Sequence, residues 1–241
     1  MSIIANTRRQ VLLAAGSGLL GSRALPASAA EPDAKAASPD PDDKEVGATE
    51  DLMREHGVLR RALLVYRESA ARLRAGGTLD PKPIQQAAQL FRRFGEDYHE
   101  KQLEEAYIFP QLQKAGGPAA GLVPVLIAQH DRGREITAYI LAVTGTGTLA
   151  SIAEPLARAF DTMDLMYENH TAREDTIVFP AWKDALSAHE LDEMGDKFEE
   201  IEQQTFGHDG YEDAVIQIAR IEEALGFADL AQFTAPPPPK T

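Results

Sequence analysis

From about Thr49 the apolar positions recur at alternating spacings of four and three: Leu52, His56, Leu59, Leu63, Tyr66, Ala70 and Leu73. That spacing marks the buried stripe of an amphipathic helix, and His56 lies inside it. Gly76-Gly77 ends the helix and Pro81 and Pro83 open the next, where Ala87, Phe91, Phe94 and Tyr98 carry the stripe up to His99. Gly116-Gly117-Pro118 separates this helix from a third, which starts near Pro124 and carries Leu126, His130, Gly133, Thr137 and Ile140 on one side. After a Gly-Thr loop at 145–148, Ser151 and Glu154 read as a capping box for a fourth helix, with Leu156, Ala159, Met163, Met166 and His170 along its seam. No run alternates with a period of two. The pattern predicts an all-α fold, an up-down-up-down four-helix bundle over residues 49–183.

The flanks read differently. Ser187 and Glu190 form a second capping box, opening a helix to about Gln204, and Tyr211–Leu225 reads as another after the turn at 207–210. This C-terminal helical extension, 184–234, is expected to cover an outer face of the bundle, with His189 and His208 as surface histidines. A proline-rich tail at 235–241 follows. Residues 31–48, rich in Pro, Ala and acid, have too little apolar surface to fold and read as a flexible acidic linker. Residues 1–30 read as a signal peptide: Arg8-Arg9 stands before a short apolar run, and Pro26-Ala27-Ser28-Ala29-Ala30 supplies small residues for cleavage. About ten apolar residues cannot span a bilayer, which needs about twenty. The expectation is twin-arginine export of a folded protein to the periplasm, with the export machinery as a partner and no membrane insertion after cleavage.

Composition then narrows the chemistry. The chain has 241 residues with 24 Lys+Arg against 38 Asp+Glu, a net charge of −14. Removing residues 1–30, with three arginines and no acid, leaves 21 basic against 38 acidic residues, or −17. Nucleic acid and anionic membrane surfaces are poor partners for such a chain. It has no cysteine, which excludes disulfides, thiolate-held iron–sulfur clusters, cysteine zinc sites and thioether-attached haem. Any metal must be held by nitrogen and oxygen.

One sequence element occurs twice. At His99 the chain reads YHEKQLEEAYIFP and at His170 NHTAREDTIVFP, and each copy follows another seam histidine, His56 or His130, some forty residues upstream. Four histidines and two glutamates thus lie on two similar helix pairs. Counted along the helices, all four imidazoles can share one layer, within mismatches of about 5 and 8 Å at about 1.5 Å per residue. Such a set suits a buried pair of transition-metal ions, because imidazole binds iron well and a carboxylate can bridge two cations. Buried without a partner, Glu104 and Glu174 would each cost several kcal/mol, and a divalent cation removes that cost. The Met and Phe residues of the seams read as plain core.

The ordered blocks REHGVLRR, DYHEKQLEEAYIFP, AQHDRGRE and ENHTAREDTIVFP resemble the hemerythrin-like, or HHE cation-binding, family over about Thr49 to Trp182. The resemblance implies two iron ions in a non-haem di-iron centre, other divalent metals being possible. His56, His99, His130 and His170 would be the nitrogen ligands, and Glu104 and Glu174 the bridging carboxylates. Two departures qualify it. His170 to Glu174 is four steps, about 400° of helix, but His99 to Glu104 is five, which leaves the two side chains about 140° apart on a regular helix. A π-bulge or local distortion is therefore expected between them, with Glu100 and Glu105 as the alternative carboxylates. Oxygen-carrying members have a further histidine four residues after the third-helix ligand, where this chain has Arg134. That leaves one iron with an open or water-filled position, or approached by Tyr98, Tyr167 or Glu135. The expected function is binding or sensing of dioxygen, nitric oxide or peroxide. A di-iron oxidase, peroxidase or nitric-oxide-handling enzyme, with Tyr98 and Tyr167 as candidate donors, is the alternative, and iron storage or delivery the third. The redox partner is left open.

Overall fold

The computed structural model describes residues 46–145, 147 and 149–239, so the expected signal peptide, 1–30, and most of the expected acidic linker, 31–48, lie outside the described residues. The described residues are helical and contain no strand. Four rods form the bundle. The first is α1 (Ala48–Arg74). The second runs from α2 (Pro81–Leu90) through π-helical turns (Phe91–Ile108) into α3 (Phe109–Ala115). A short turn of helix, α4 (Gly117–Ala120), precedes the third rod, α5 (Val123–Thr144). The fourth is α6 (Ala153–Arg173), followed by π turns (Glu174–Val178) and α7 (Phe179–Asp184). The extension is α8 (Ala188–Phe206) and α9 (Gly210–Leu225).

Cross-rod ion pairs and hydrogen bonds fix the directions. Arg60 meets Asp175, Arg67 meets Asp164 and Arg74 meets Asp161, so α1 and the fourth rod run antiparallel. Thr137 meets Glu96 and His130 meets Glu105, so α5 runs antiparallel to the second rod. No described helix is long and apolar enough to cross a membrane.

Every residue assigned to the first three stripes is buried. The fourth departs from expectation in two ways. No side chain caps α6: Ala150–Ile152 forms a 3₁₀ turn and the cap position falls on Ile152, so Ser151 and Glu154 make no box. Its seam is also Leu156, Phe160, Met163, Tyr167 and His170, with Ala159 and Met166 only half-buried. The larger rings take the core positions because they remove more apolar area from water. By contrast Ser187 and Glu190 do form the capping box of α8. α9 packs on α1 and α2, held by Arg61 to Glu222 (2.9 Å) and by Arg72 to the Leu225 carbonyl (3.0 Å). The extension thus covers the face made by the first two rods.

Away from the histidines the core holds a buried carboxylate, Glu96, which accepts from Thr137 Oγ1 at 2.5 Å and lies 2.7 Å from Arg92. Burial pushes its carboxyl from the ordinary 4.5 up to about 7, against the lowering effects of Thr137 and Arg92. A carboxyl raised on folding binds its proton more tightly in the native state, so its share of stability is present at low pH and lost as pH rises toward 7. Replacing Glu96 by glutamine is expected to make the metal-free protein more stable at pH 8 by about 2 kcal/mol, and to change little at pH 4.5. Urea denaturation at the two pH values checks this; an equal loss at both would refute it.

Candidate metal centre

The two His-Glu elements build their geometry locally. Both end in Phe-Pro, and Pro110 and Pro180 have no N–H to give and crowd the carbonyl four residues back. The chain widens before each: the Phe109 and Phe179 amides donate to the carbonyls of Glu104 and Glu174, five residues earlier. With i→i+5 bonding a fifth residue returns over the first, which brings Glu104 onto the face of His99. The expected distortion is present, but it is no local bulge; it runs over Phe91–Ile108 and recurs after His170 over Glu174–Val178.

All six predicted side chains meet in one buried pocket. His56 Nε2 and His99 Nε2 lie 3.0 Å apart, and His130 Nε2 and His170 Nε2 3.1 Å apart, so the four rings do share a layer. Glu104 stands between the pairs, Oε1 3.4 Å from His99 Nε2 and Oε2 3.3 Å from His130 Nε2. Glu174 Oε2 lies 3.5 Å from His56 Nε2 and 2.9 Å from His170 Nε2. Each carboxylate therefore faces both histidine pairs. Glu100 and Glu105 point elsewhere, Glu100 to Tyr167 and Arg134 and Glu105 to the outer side of His130.

The outer nitrogens carry a pattern that the sequence reading missed. Each Nδ1 bonds to a side chain of the neighbouring rod: His99 to Glu55 (2.6 Å), His130 to Glu105 (2.9 Å), His170 to Gln129 (3.0 Å) and His56 to Asp175 (2.7 Å). The four clasps form a closed ring, first rod to second, second to third, third to fourth and fourth to first. Carboxylate and amide oxygens only accept, so each Nδ1 carries a proton and Nε2 is the nitrogen left to face the pocket. Phe179 stacks on His56 at 5.3 Å and Phe109 on His130 at 5.6 Å, so these two rings wall the pocket as well as filling core. Each clasping residue is next in sequence to one of the six, which was the available signal.

Arg134 does not enter the pocket. It bonds Glu105 (2.5 Å) and Glu100 (3.2 Å), as Arg60, four residues after His56, pairs with Asp175. Arg60 and Arg134 occupy equivalent places in the repeat and hold the clasping acids from outside. Glu135 is exposed and pairs with Arg132. Tyr98 donates to Glu55 at 3.1 Å and Tyr167 to Glu100 at 2.7 Å, so neither hydroxyl points at the Nε2 cluster. His189 and His208 are exposed, as expected.

The pocket is thus lined by four imidazole nitrogens and two carboxylates. Among the described residues, none of the four oxygens of Glu104 and Glu174 has a hydrogen-bond donor, although both side chains are fully buried. Burial opposes charge on Glu104, but His99 and His130 override it and hold this carboxyl well below the usual range. Burial, followed by the Glu104 charge, pushes Glu174 well above it. Burial and His130 lower His170 to about 4; burial would lower His130 too, but Glu100, Glu104 and Glu105 bring it up to about 10. Imidazole nitrogens and carboxylate oxygens converging on one buried pocket are what a cation requires, and the buried histidines and glutamates fit a metal-binding site.

A helical bundle closed around such a pocket belongs to the class of metal-binding bundles. Residues 47–182 match the family model described as the hemerythrin HHE cation binding domain, and the chain belongs to that family. It is 46% identical over 194 residues to the uncharacterized protein Mb2018 of Mycobacterium bovis and, to the same degree, to the uncharacterized proteins MT2051 and Rv1995 of Mycobacterium tuberculosis. In each case the match covers 78% of this chain and 74% of the relative. No solved structure matches significantly.

Proposed function

We propose that this is an exported non-haem di-iron protein that binds or senses a small oxidant: dioxygen, nitric oxide or peroxide. The observation that carries the reading is the donor set, in which two buried carboxylates each face both histidine pairs and no oxygen of either has an internal donor. His56 and His99 would hold one ion, His130 and His170 the other, and Glu104 and Glu174 would span the two. Two ferrous ions would supply electrons that a small oxidant can take up. The protein's own share is to hold four Nε2 lone pairs inward through the Nδ1 clasps and to exclude bulk water with Phe109, Phe179 and the core around them. The export part of the reading is supported by the Arg8-Arg9 pair ahead of a short apolar run.

A turnover enzyme is the second reading, and Tyr167 favours it. Its fully buried hydroxyl donates to Glu100 while its ring lies 5.4 Å from that of His170. Anaerobic titration with ferrous iron, followed by rapid mixing with oxygen or hydrogen peroxide, separates the readings. Saturation at two equivalents and a stable adduct that reverses under vacuum are expected. Rapid oxidation with repeated peroxide consumption would favour the enzyme, and uptake well beyond two equivalents would favour storage.

A further inference from the structure

The two halves of the pocket match residue for residue around the ring of clasps, with one difference in the acceptor of an Nδ1 hydrogen bond. His56 and His130 correspond, as do His99 and His170, Glu104 and Glu174, Glu105 and Asp175, Arg60 and Arg134, and Phe109 and Phe179. The residue before the first histidine of each half is Glu55 in one and Gln129 in the other, and each accepts from the Nδ1 of the next rod's histidine. Three imidazoles therefore lean on a carboxylate and His170 on a neutral amide.

Resting on the two-ion reading above, we propose that Gln129 makes the two metal positions unequal. The position between His56 and His99 fills first and holds its ion more tightly, and the one between His130 and His170 is the weaker and faster to exchange. A carboxylate accepting from Nδ1–H shifts electron density to Nε2 and makes the imidazole a better donor, and losing such a partner typically costs about 10–100-fold in metal affinity. His56 and His99 have Asp175 and Glu55, whereas the other pair has Glu105 alone; Asp175 and Glu105 are each shared with an arginine, Arg60 and Arg134, so that sharing does not separate the two sides. Glu100 brings a matching formal charge to that side, yet its oxygens go to Tyr167 and Arg134 and clasp no ring. The difference lies in one hydrogen bond rather than in net charge. Gln129 is on this account a positioning residue that sets the rank of the two positions through His170.

Calorimetric titration of the metal-free full chain with cobaltous ion, alongside its visible spectrum, tests this. Two binding steps separated by about 10–100-fold are expected. Q129E should raise the weaker constant toward the stronger, and E55Q should lower the stronger toward the weaker, so the steps close up from opposite sides. Two equal constants in the unaltered protein would overturn the inference and leave the two-ion reading standing, and so would two ions whose constants neither variant moves. Uptake of fewer than two equivalents by the unaltered protein would bring down both.

Discussion

Replacing Glu104 by alanine is expected to leave a folded protein that retains metal at neither position. Its two oxygens face opposite halves of the pocket, one toward His99 and one toward His130, so a single truncation removes an anchor from both. The readout is thermal stability with and without ferrous iron under nitrogen. A ligand at about 1,000 times its Kd stabilises the native state by about 4 kcal/mol. For a domain of this size each kcal/mol is worth about 2–4 °C, so the unaltered protein should melt about 10 °C higher when loaded. The E104A protein should show almost none of that rise. Without metal the substitution should itself lower stability, because His99 and His130 hold the buried Glu104 carboxylate in its charged form and the truncation leaves a cavity, so the rise on loading is read against the variant's own metal-free melting point. A full metal-induced rise in E104A would rule out the assignment. His208→Ala, at an exposed site on the extension, should keep the rise intact.

The second large effect is expected at Gly133. A Cβ there would fall 2.0 Å from the Tyr167 hydroxyl oxygen and 2.8 Å from its ring carbon Cζ, and both residues are buried. Gly133→Ala must push Tyr167 off Glu100, which combines overpacking with the loss of a buried hydrogen bond, and about 3–5 kcal/mol is expected. Urea denaturation of the metal-free protein measures it. Combining the change with Tyr167→Phe removes the oxygen at 2.0 Å but not the ring carbon, so only part of the loss should return. A single variant as stable as the parent would show that Tyr167 does not depend on this gap.

The candidate site was legible in the sequence because its chemistry is repeated. His99 with Glu104 and His170 with Glu174 announce themselves by the shared Phe-Pro ending, and the apolar stripes locate His56 and His130. What stayed hidden depends on how rods face one another. Glu55, Gln129 and Asp175 look like ordinary surface positions one step off the stripe, and only the lateral approach of the next rod turns them onto an imidazole. Arg134 was read as a gap in the ligand set, whereas its place in the repeat is that of Arg60. The length of the π-helical run was hidden too: the extra residue between His99 and Glu104 demanded a distortion but did not say how far it spreads. On α6 a period of alternating three and four fits two phases, one through Ala159 and Met166 and one through Phe160 and Tyr167, and spacing alone does not separate them; the volume of the two rings does.

The closed ring of Nδ1 contacts has a bearing on how such a chain can vary. Each rod gives one contact and receives one, so sliding or rotating any rod by a single residue disturbs its neighbours on both sides. Connections such as that at 116–118 carry no member of the ring and can lengthen or shorten freely. A one-residue insertion within a rod, between its histidine and the side chain it lends, would instead unpick the circle.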